Sequence, residues 1–411
     1  MPTTLIKDIW TLLVLVQLPL WHIVVKWLGS PYHSLYAKGK FVHYLKNLIL
    51  ISISIFSIFS FADEKVNVGI KAKKIVDKHR VAWDGIRKRP ILTHIFYPTL
   101  DKQVEALKLG GGDIGLFNAG NVVWNAKPVI SKPKPLIIMS HGTGGSSLQM
   151  LWIASKLVKN GYIVAGVNHH GNTAVESKKY AEGFKLWWER TQDLKVVLTK
   201  LENDMYWRRH IAFDQVGVVG FSLGGYTALS ALGGITDKAL FSKFCKSKER
   251  DFTCEPQIEF AEINKEYEKV KNSPIVKKSI SKQHDSFKIS QIKAGLLIAP
   301  AVVRSIREDS IKTINVPVKV VVGTEDKIAP SKNNAKRVAS LVADSKYMEI
   351  NNAGHYTFLS KCTKYGKNVL PILCNDNGEI NRSQVHEDVS NSAVKFFDQA
   401  FAYNKPSQSD S

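Results

Sequence analysis

Ser222 stands in the run Gly220-Phe221-Ser222-Leu223-Gly224-Gly225, directly after the apolar stretch Val216–Val219 and before an Ala/Leu-rich segment. This meets the G-x-S-x-G condition for a serine on a sharp strand-to-helix turn. Gly220 and Gly224, two residues either side of the serine, carry no side chain to obstruct the turn. A helix N-terminus behind the serine offers N–H groups and a favourable dipole to a developing oxyanion. The chemistry that suits such a residue is nucleophilic acyl transfer. An ordinary glycine-rich turn would carry the same glycines, but here motif and context agree on a nucleophile.

The remaining parts follow in chain order. SHGTGGS at Ser140–Ser146 ends an apolar run, and a His-Gly-x-Gly loop at that point supplies the other half of an oxyanion hole. The backbone N–H of Thr143 is expected to pair there with that of Leu223, leaving His141 to shape the loop. A carboxylate is expected after the apolar run Val318–Val322, where the chain reads GTEDKIAP at Gly323–Pro330. Asp326 is the first choice and Glu325 the second, holding the tautomer of a histidine and stabilising its imidazolium. NNAGHYTF at Asn351–Phe358 then supplies His355 as the base, giving the order Ser222, Asp326, His355. His386, near the chain end, is the late competitor, and the other histidines read as surface or core residues. No metal or organic cofactor is needed for this chemistry, and no zinc-type spacing accompanies the cysteines.

These residues need a rigid frame, and the sequence offers one. Short apolar runs at Leu136–Met139, Ile163–Val167, Val216–Phe221, Ala294–Ala299, Val318–Val322 and Tyr347–Ile350 alternate with helix-like segments. These segments are Leu148–Lys159, roughly Tyr180–Lys200, Gly224–Leu232, Asn333–Leu341 and Val385–Phe401. The pattern predicts an α/β fold with a mostly parallel central sheet and helices on both faces. Pro90–Pro98 alternates at period two between prolines, as an early antiparallel edge strand would. The stretch from Leu109 to Pro135, with glycines at 110–112, reads as loop-rich. The lysine-rich segment from Thr236 to Ile289 is too long for a structureless loop and is expected to form a small helical cap inserted at about 236–290.

The composition bounds the class. The chain has 411 residues, 44% hydrophobic and 23% charged, with 57 Lys+Arg against 36 Asp+Glu. That excludes collagen-like, disordered and polytopic membrane proteins. A formal charge of +21 favours anionic surfaces. The basic residues are scattered, with no aromatic-interleaved patch or arginine-rich arm, which points away from nucleic acid; the charge serves either plain solubility or, together with the apolar leader, peripheral contact with an anionic membrane.

Leu48–Phe61 is an uncharged apolar run preceded by Lys38, Lys40 and Lys46, with small residues at its end. It has the form of a secretory signal peptide cleaved after Ala62, and is short for a membrane span. A second apolar stretch, Ile9–Trp27, lies upstream. Either residues 1–62 form an N-terminal anchor of two segments, or translation begins nearer Leu35–Leu45. Both readings export residues 63–411, to a periplasmic or secreted location. All four cysteines fall in that exported part, where an even count suggests disulfides. Local pairing, Cys245 with Cys254 and Cys362 with Cys374, is the first of three possible connectivities.

With these motifs in hand, the sequence from about Val66 to Phe401 resembles the secreted α/β-hydrolases grouped as dienelactone hydrolase-like proteins and type II platelet-activating factor acetylhydrolases. Its marks are SHGTGGS, VNHHGNT at Val167–Thr173, RTQD at Arg190–Asp193, VGVVGFSLGG, the Cys-bearing cap, GTEDKIAP and AGHYTFL followed by Cys362. The resemblance implies serine esterase chemistry on short acyl or lipid-derived esters. Ser222 would be the nucleophile, His355 the base, Asp326 the orienting acid, and the Thr143 and Leu223 amides the oxyanion donors. An acyltransferase or amidase would use the same triad. His170 stands where a proline is expected in such proteins, and a serine in place of a nucleophilic cysteine argues against dienelactone hydrolysis itself. Trp187, Trp188, Phe241 and Phe244 are candidates for an acyl pocket or, more simply, for helix packing.

Overall fold

Strands covered on both faces carry unbroken apolar runs, whereas a strand with one wet face alternates. In the computed structural model, which describes residues 66–376 and 380–403, the six apolar runs all lie in strands, apart from Ala299, one residue past its strand. The leader 1–62 lies outside the described residues. In chain order the strands are β1 (Asn67–Val81), β2 (Lys88–Thr99), β3 (Glu105–Leu109), β4 (Phe117–Trp124), β5 (Lys134–Ser140), β6 (Ile163–Val167), β7 (Ile211–Phe221), β8 (Ile292–Ile298), β9 (Val318–Gly323), β10 (Ser345–Ile350) and β11 (Lys361–Cys362). They form one sheet in the order β10-β9-β8-β7-β5-β6-β2-β1-β4-β11, with β3 paired to β4. Strands β5 to β10 run parallel, and β2 joins β6 antiparallel.

Alternate residues of β5 divide between two cores. Leu136 and Ile138 pack with Leu194, Leu198 and Leu229, from the helices Trp188–Glu202 and Leu223–Leu232. Ile137 and Met139 pack with Leu151, Leu157, Phe396 and Phe397, from the helices Leu151–Lys159 and Arg382–Tyr403. The period-two alternation of a strand thus places helices on both faces. Between the helix Leu223–Leu232 and β8 the chain forms the helices Lys238–Cys245, Ile263–Val270 and Pro274–Ile280 with short 3-10 turns between them. Cys245–Cys254 and Cys362–Cys374 are disulfides.

Three expectations are corrected. Pro90–Pro98 lies in β2, which is antiparallel but internal, between β1 and β6. The prolines are accommodated because β6 pairs only with Thr93–Phe96, leaving Pro90 and Pro98 paired on one flank alone. The stretch 109–135 holds β4, joined to β3 by a turn in which Gly110, Gly111 and Gly112 all have φ near +65°, a region open to glycine. The helix expected over 180–200 is two, Ala181–Lys185 and Trp188–Glu202, with Trp187 at the break.

A buried charge network ties these layers together. Asp193, on the helix Trp188–Glu202, is fully buried. Its carboxylate accepts from Arg80 Nη2 (2.6 Å), Arg89 Nε (2.8 Å) and Arg89 Nη2 (3.0 Å), and His169 Nδ1 lies 3.0 Å away. Burial works against the charged form, but the two guanidiniums outweigh it and hold the carboxyl well below its ordinary range. Removing one partner from such a network leaves buried charge uncompensated and costs about 3–5 kcal/mol. Asp193→Asn is accordingly expected to lower stability by about that amount in urea titration; a loss within about 0.5 kcal/mol would show that the arginines find other partners.

Four buried histidines add a pH dependence. Burial lowers His94 and His386 to about 4, His169 to about 3 and His141 well below its ordinary value, against about 6.5 in an unfolded chain. His386 Nδ1 has no partner for a proton among the described residues. Between those values the unfolded chain binds more protons, so stability falls as pH drops from about 6.5 towards 4. The thermal midpoint is expected to decline across that window, and less steeply in His386→Gln; equal slopes in the two proteins would exclude the histidine.

Candidate active site

The sharp turn anticipated after β7 is present. Ser222 has φ 55° and ψ −119°, a left-handed backbone that L-residues seldom adopt, and heads the helix Leu223–Leu232. The strain is held by hydrogen bonds on both sides: Ser222 N–H donates to Ile298 O (2.9 Å), and Ala301 N–H donates to Ser222 O (3.1 Å). The flanking glycines are required by close approach of backbone. A Cβ at Gly220 would lie 2.0 Å from Gly224 O, and one at Gly224 would lie 2.0 Å from Ser140 O.

Residues following four parallel strands meet at one end of the sheet: the 142–145 loop after β5, Ser222 after β7, Asp326 after β9 and His355 after β10. His355 Nε2 lies 2.9 Å from Ser222 Oγ, and His355 Nδ1 lies 2.7 Å from Asp326 Oδ2. The other oxygen of Asp326 accepts from the N–H groups of Ile328 (3.1 Å) and Ala329 (2.7 Å), which fixes the carboxylate. All three side chains are buried, with relative exposures of 8% for Ser222, 5% for Asp326 and 4% for His355. Glu325 is exposed and lies outside this chain of contacts. His386 is also outside it: its ring stacks on Trp152 and its Nε2 lies 2.9 Å from Thr357 O.

The loop after β5 is held from below. Arg190, fully buried, donates to His141 O, to Ser140 Oγ (3.3 Å) and to Thr227 Oγ1 (3.1 Å). Its desolvation lowers the guanidinium pKa to about 9. His169 Nε2 lies 2.9 Å from Ser140 Oγ while its Nδ1 faces Asp193, so the buried carboxylate reaches the loop through one imidazole. His141 is buried, and its Nε2 accepts from His169 N–H (3.3 Å). From above, Asn172 Oδ1 accepts from Gly144 N–H at 2.6 Å. His170, the departure from the expected proline, accepts from Trp83 N–H at Nε2 (3.1 Å) and faces Glu176 with Nδ1 (2.9 Å). The N–H groups of Thr143 and Leu223 have no acceptor among the described residues.

A cavity of about 140 Å³ opens onto Ser222, His355 and the 142–145 loop. The cap walls it through Phe252, Thr253, Glu255, Gln257, Ile258 and Glu259, with Leu373 and Tyr356 from the C-terminal part. Cys254 and Cys374 adjoin this wall in sequence. None of the four aromatic candidates lines the cavity. Trp188 Nε1 donates to Ser279 O (3.0 Å), Trp187 packs edge-on to Phe241, and Phe244 lies under Arg304. They are packing residues of the cap and of the helix beneath it. A larger cavity of about 450 Å³, lined by Arg80, Glu189 and Ser279, contains no member of the Ser222 constellation. No group of acidic, histidine or cysteine side chains suited to a metal ion occurs among the described residues. The cap carboxylates and Asn172 were not assigned to the site from sequence: the VNHHGNT run pointed to the second, and nothing in the lysine-rich cap singled out the first.

Known proteins share part of this sequence and its fold. Residues 130–260, which include the 142–145 loop and Ser222, match the family model described as "Putative serine esterase (DUF676)". A Bradyrhizobium protein named "Probable 2-oxo-3-(5-oxofuran-2-ylidene)propanoate lactonase" is 26% identical over 129 residues. That match covers 31% of this chain and 52% of the relative, so this chain spans about half the relative's length. Among solved structures, the ferulic acid esterase from Streptomyces cinnamoneus superposes with a TM-score of 0.55 at 16% identity, covering 82% of this chain and 90% of that one. The mostly parallel sheet, the helices on both faces and this structural likeness establish an α/β-hydrolase fold.

Proposed function

We propose that this chain is an exported serine ester hydrolase that cleaves short-chain or lipid-derived carboxylic esters through an acyl-enzyme. The observation that carries the reading is the unbroken relay from Ser222 Oγ through His355 to Asp326, at 2.9 and 2.7 Å. With the proton of His355 on Nδ1, held by Asp326, Nε2 is free to accept the Ser222 proton as Oγ attacks the ester carbonyl. The N–H groups of Thr143 and Leu223 are the donors for the resulting oxyanion. The imidazolium returns its proton to the departing alcohol, and water, deprotonated by the same imidazole, releases the acid and restores Ser222. A lactone is a cyclic ester that the same steps open, which accords with the named activity of the Bradyrhizobium relative.

Cavity size favours short acyl groups: about 140 Å³ is below the roughly 300–1,000 Å³ of sites for drug-sized ligands. For the full chain assayed on 4-nitrophenyl esters from acetate to palmitate, kcat/KM is expected to peak at acetate to butyrate. Ser222→Ala is expected to lower it at least about a thousandfold. Retained activity in the variant, or silence across the series, would remove the esterase reading, and supplying an alcohol acceptor or amides in the same assay distinguishes a transferase or amidase.

Export is supported by the signal-like run Leu48–Phe61 and by two disulfides, which persist in oxidising compartments. No helix among the described residues is long and apolar enough to cross a membrane. The net charge of +21 favours peripheral contact with anionic lipid. Co-sedimentation with anionic vesicles is expected at low ionic strength and is expected to fall as salt rises towards 0.5 M; salt-insensitive or absent binding would exclude an electrostatic contact.

A further inference from the structure

In a chain with a large excess of lysine and arginine, the cavity over Ser222 is lined by neither. Its charged walls are the carboxylates of Glu255 and Glu259, both from the cap. Glu255 is occupied by an ion pair with Arg250. Glu259 has no lysine or arginine within ion-pair distance of its carboxylate among the described residues. Its backbone is anchored, since Glu259 O accepts from Lys179 Nζ at 2.6 Å. It sits directly over the 142–145 loop: a Cβ at Gly144, where φ is +61°, would come within 2.9 Å of Glu259 Cβ. Glycine at 144 therefore lets the Glu259 side chain pack onto the 142–145 loop, at the rim of the cavity over Ser222. Burial raises the Glu259 carboxyl pKa, while its own N–H, His355 and Lys179 act in the opposite direction. Tyr356 lines the same cavity, its hydroxyl held neutral by burial and by the nearby charges of Glu259 and Asp326.

A carboxylate in a small, partly closed cavity acts on a ligand's charge more strongly than it would in bulk water. Like charges brought together across such a contact are a means of rejecting a wrong partner. We infer that Glu259 is a specificity-determining residue that makes the Ser222 site select cationic and uncharged esters and reject anionic ones. The inference rests on the esterase reading above and adds the charge class of its substrate.

Three acetyl thioesters of similar size separate the two ideas: acetylthiocholine, its uncharged isostere 3,3-dimethylbutyl thioacetate, and 3-(acetylthio)propionate. With the full chain, kcat/KM is expected to fall in that order, with the cation at least about tenfold better than the anion. Each rate is normalised to the uncharged ester within the same protein, so a change in overall activity or in the folded fraction drops out. Glu259→Gln is expected to reduce the cation-to-anion ratio at least about fivefold, and Glu259→Asp to preserve the order. A wild-type ratio near or below one, or an unchanged ratio in Glu259→Gln, overturns the inference while leaving the esterase standing. Absence of Ser222-dependent turnover of the uncharged thioester overturns both, through the esterase reading.

Discussion

Burying Asp193 without its partners would cost more than a small domain can spare, and much of the architecture around the site is arranged to satisfy it. Its two oxygens draw Arg80 from β1, Arg89 from β2 and His169 from the loop after β6 to one point on the helix Trp188–Glu202. Arg80 is shared further with Asp77 and Glu189, and Arg89 lies against the face of Trp83. His169 passes the constraint to Ser140, and Arg190, one helical turn before Asp193, fixes the carbonyl of His141. The antiparallel β1–β2 edge, the parallel sheet and the loop facing Ser222 are thereby registered against one another by directional contacts. Apolar packing alone, which tolerates sliding, would not set that register.

The half of the sheet that bears the site was legible because its strands are covered on both faces. Burial forces unbroken runs such as Val216–Val219 and Val318–Val322, and these stand out against lysine-rich surroundings. The serine turn was equally legible, since Gly220 and Gly224 are demanded by backbone contacts of 2.0 Å rather than by preference. Asp326 and His355 followed from chain order and from their positions just past β9 and β10, and His355 is found within hydrogen-bond reach of both Asp326 and Ser222.

Elsewhere the signal was weak for physical reasons. β1 is half exposed and charged along much of its length, so it lacks an apolar run, and β3 and β4 form a short ribbon whose glycines read as loop. The prolines of β2 have the look of an edge strand, yet partial pairing with β6 is sufficient to admit them inside the sheet. Asp193 lay inside the RTQD run, but a lone aspartate on a helix gives no hint of partners 104 and 113 residues away. Glu259 was invisible for the same reason: its neighbours in space come from other elements, and its neighbours in sequence are an unremarkable charged surface.

The wall of the cavity is built differently from its floor. Ser222, Asp326 and His355 stand just past strands locked in the core, whereas Phe252 and Ile258 of the wall are each 44% exposed. That segment is held by the cross-link at Cys254 and by hydrogen bonds from Asn333 to Glu249 O and Asp251 and from Lys179 to Glu259 O, and Leu373 on the C-terminal side has Cys374 beside it. A wall secured by such ties can exchange its side chains without unsettling the interior that holds Ser222. Divergence between descendants of such a chain would therefore run ahead in the wall, altering what is admitted while Ser222, His355 and Asp326 stay in register.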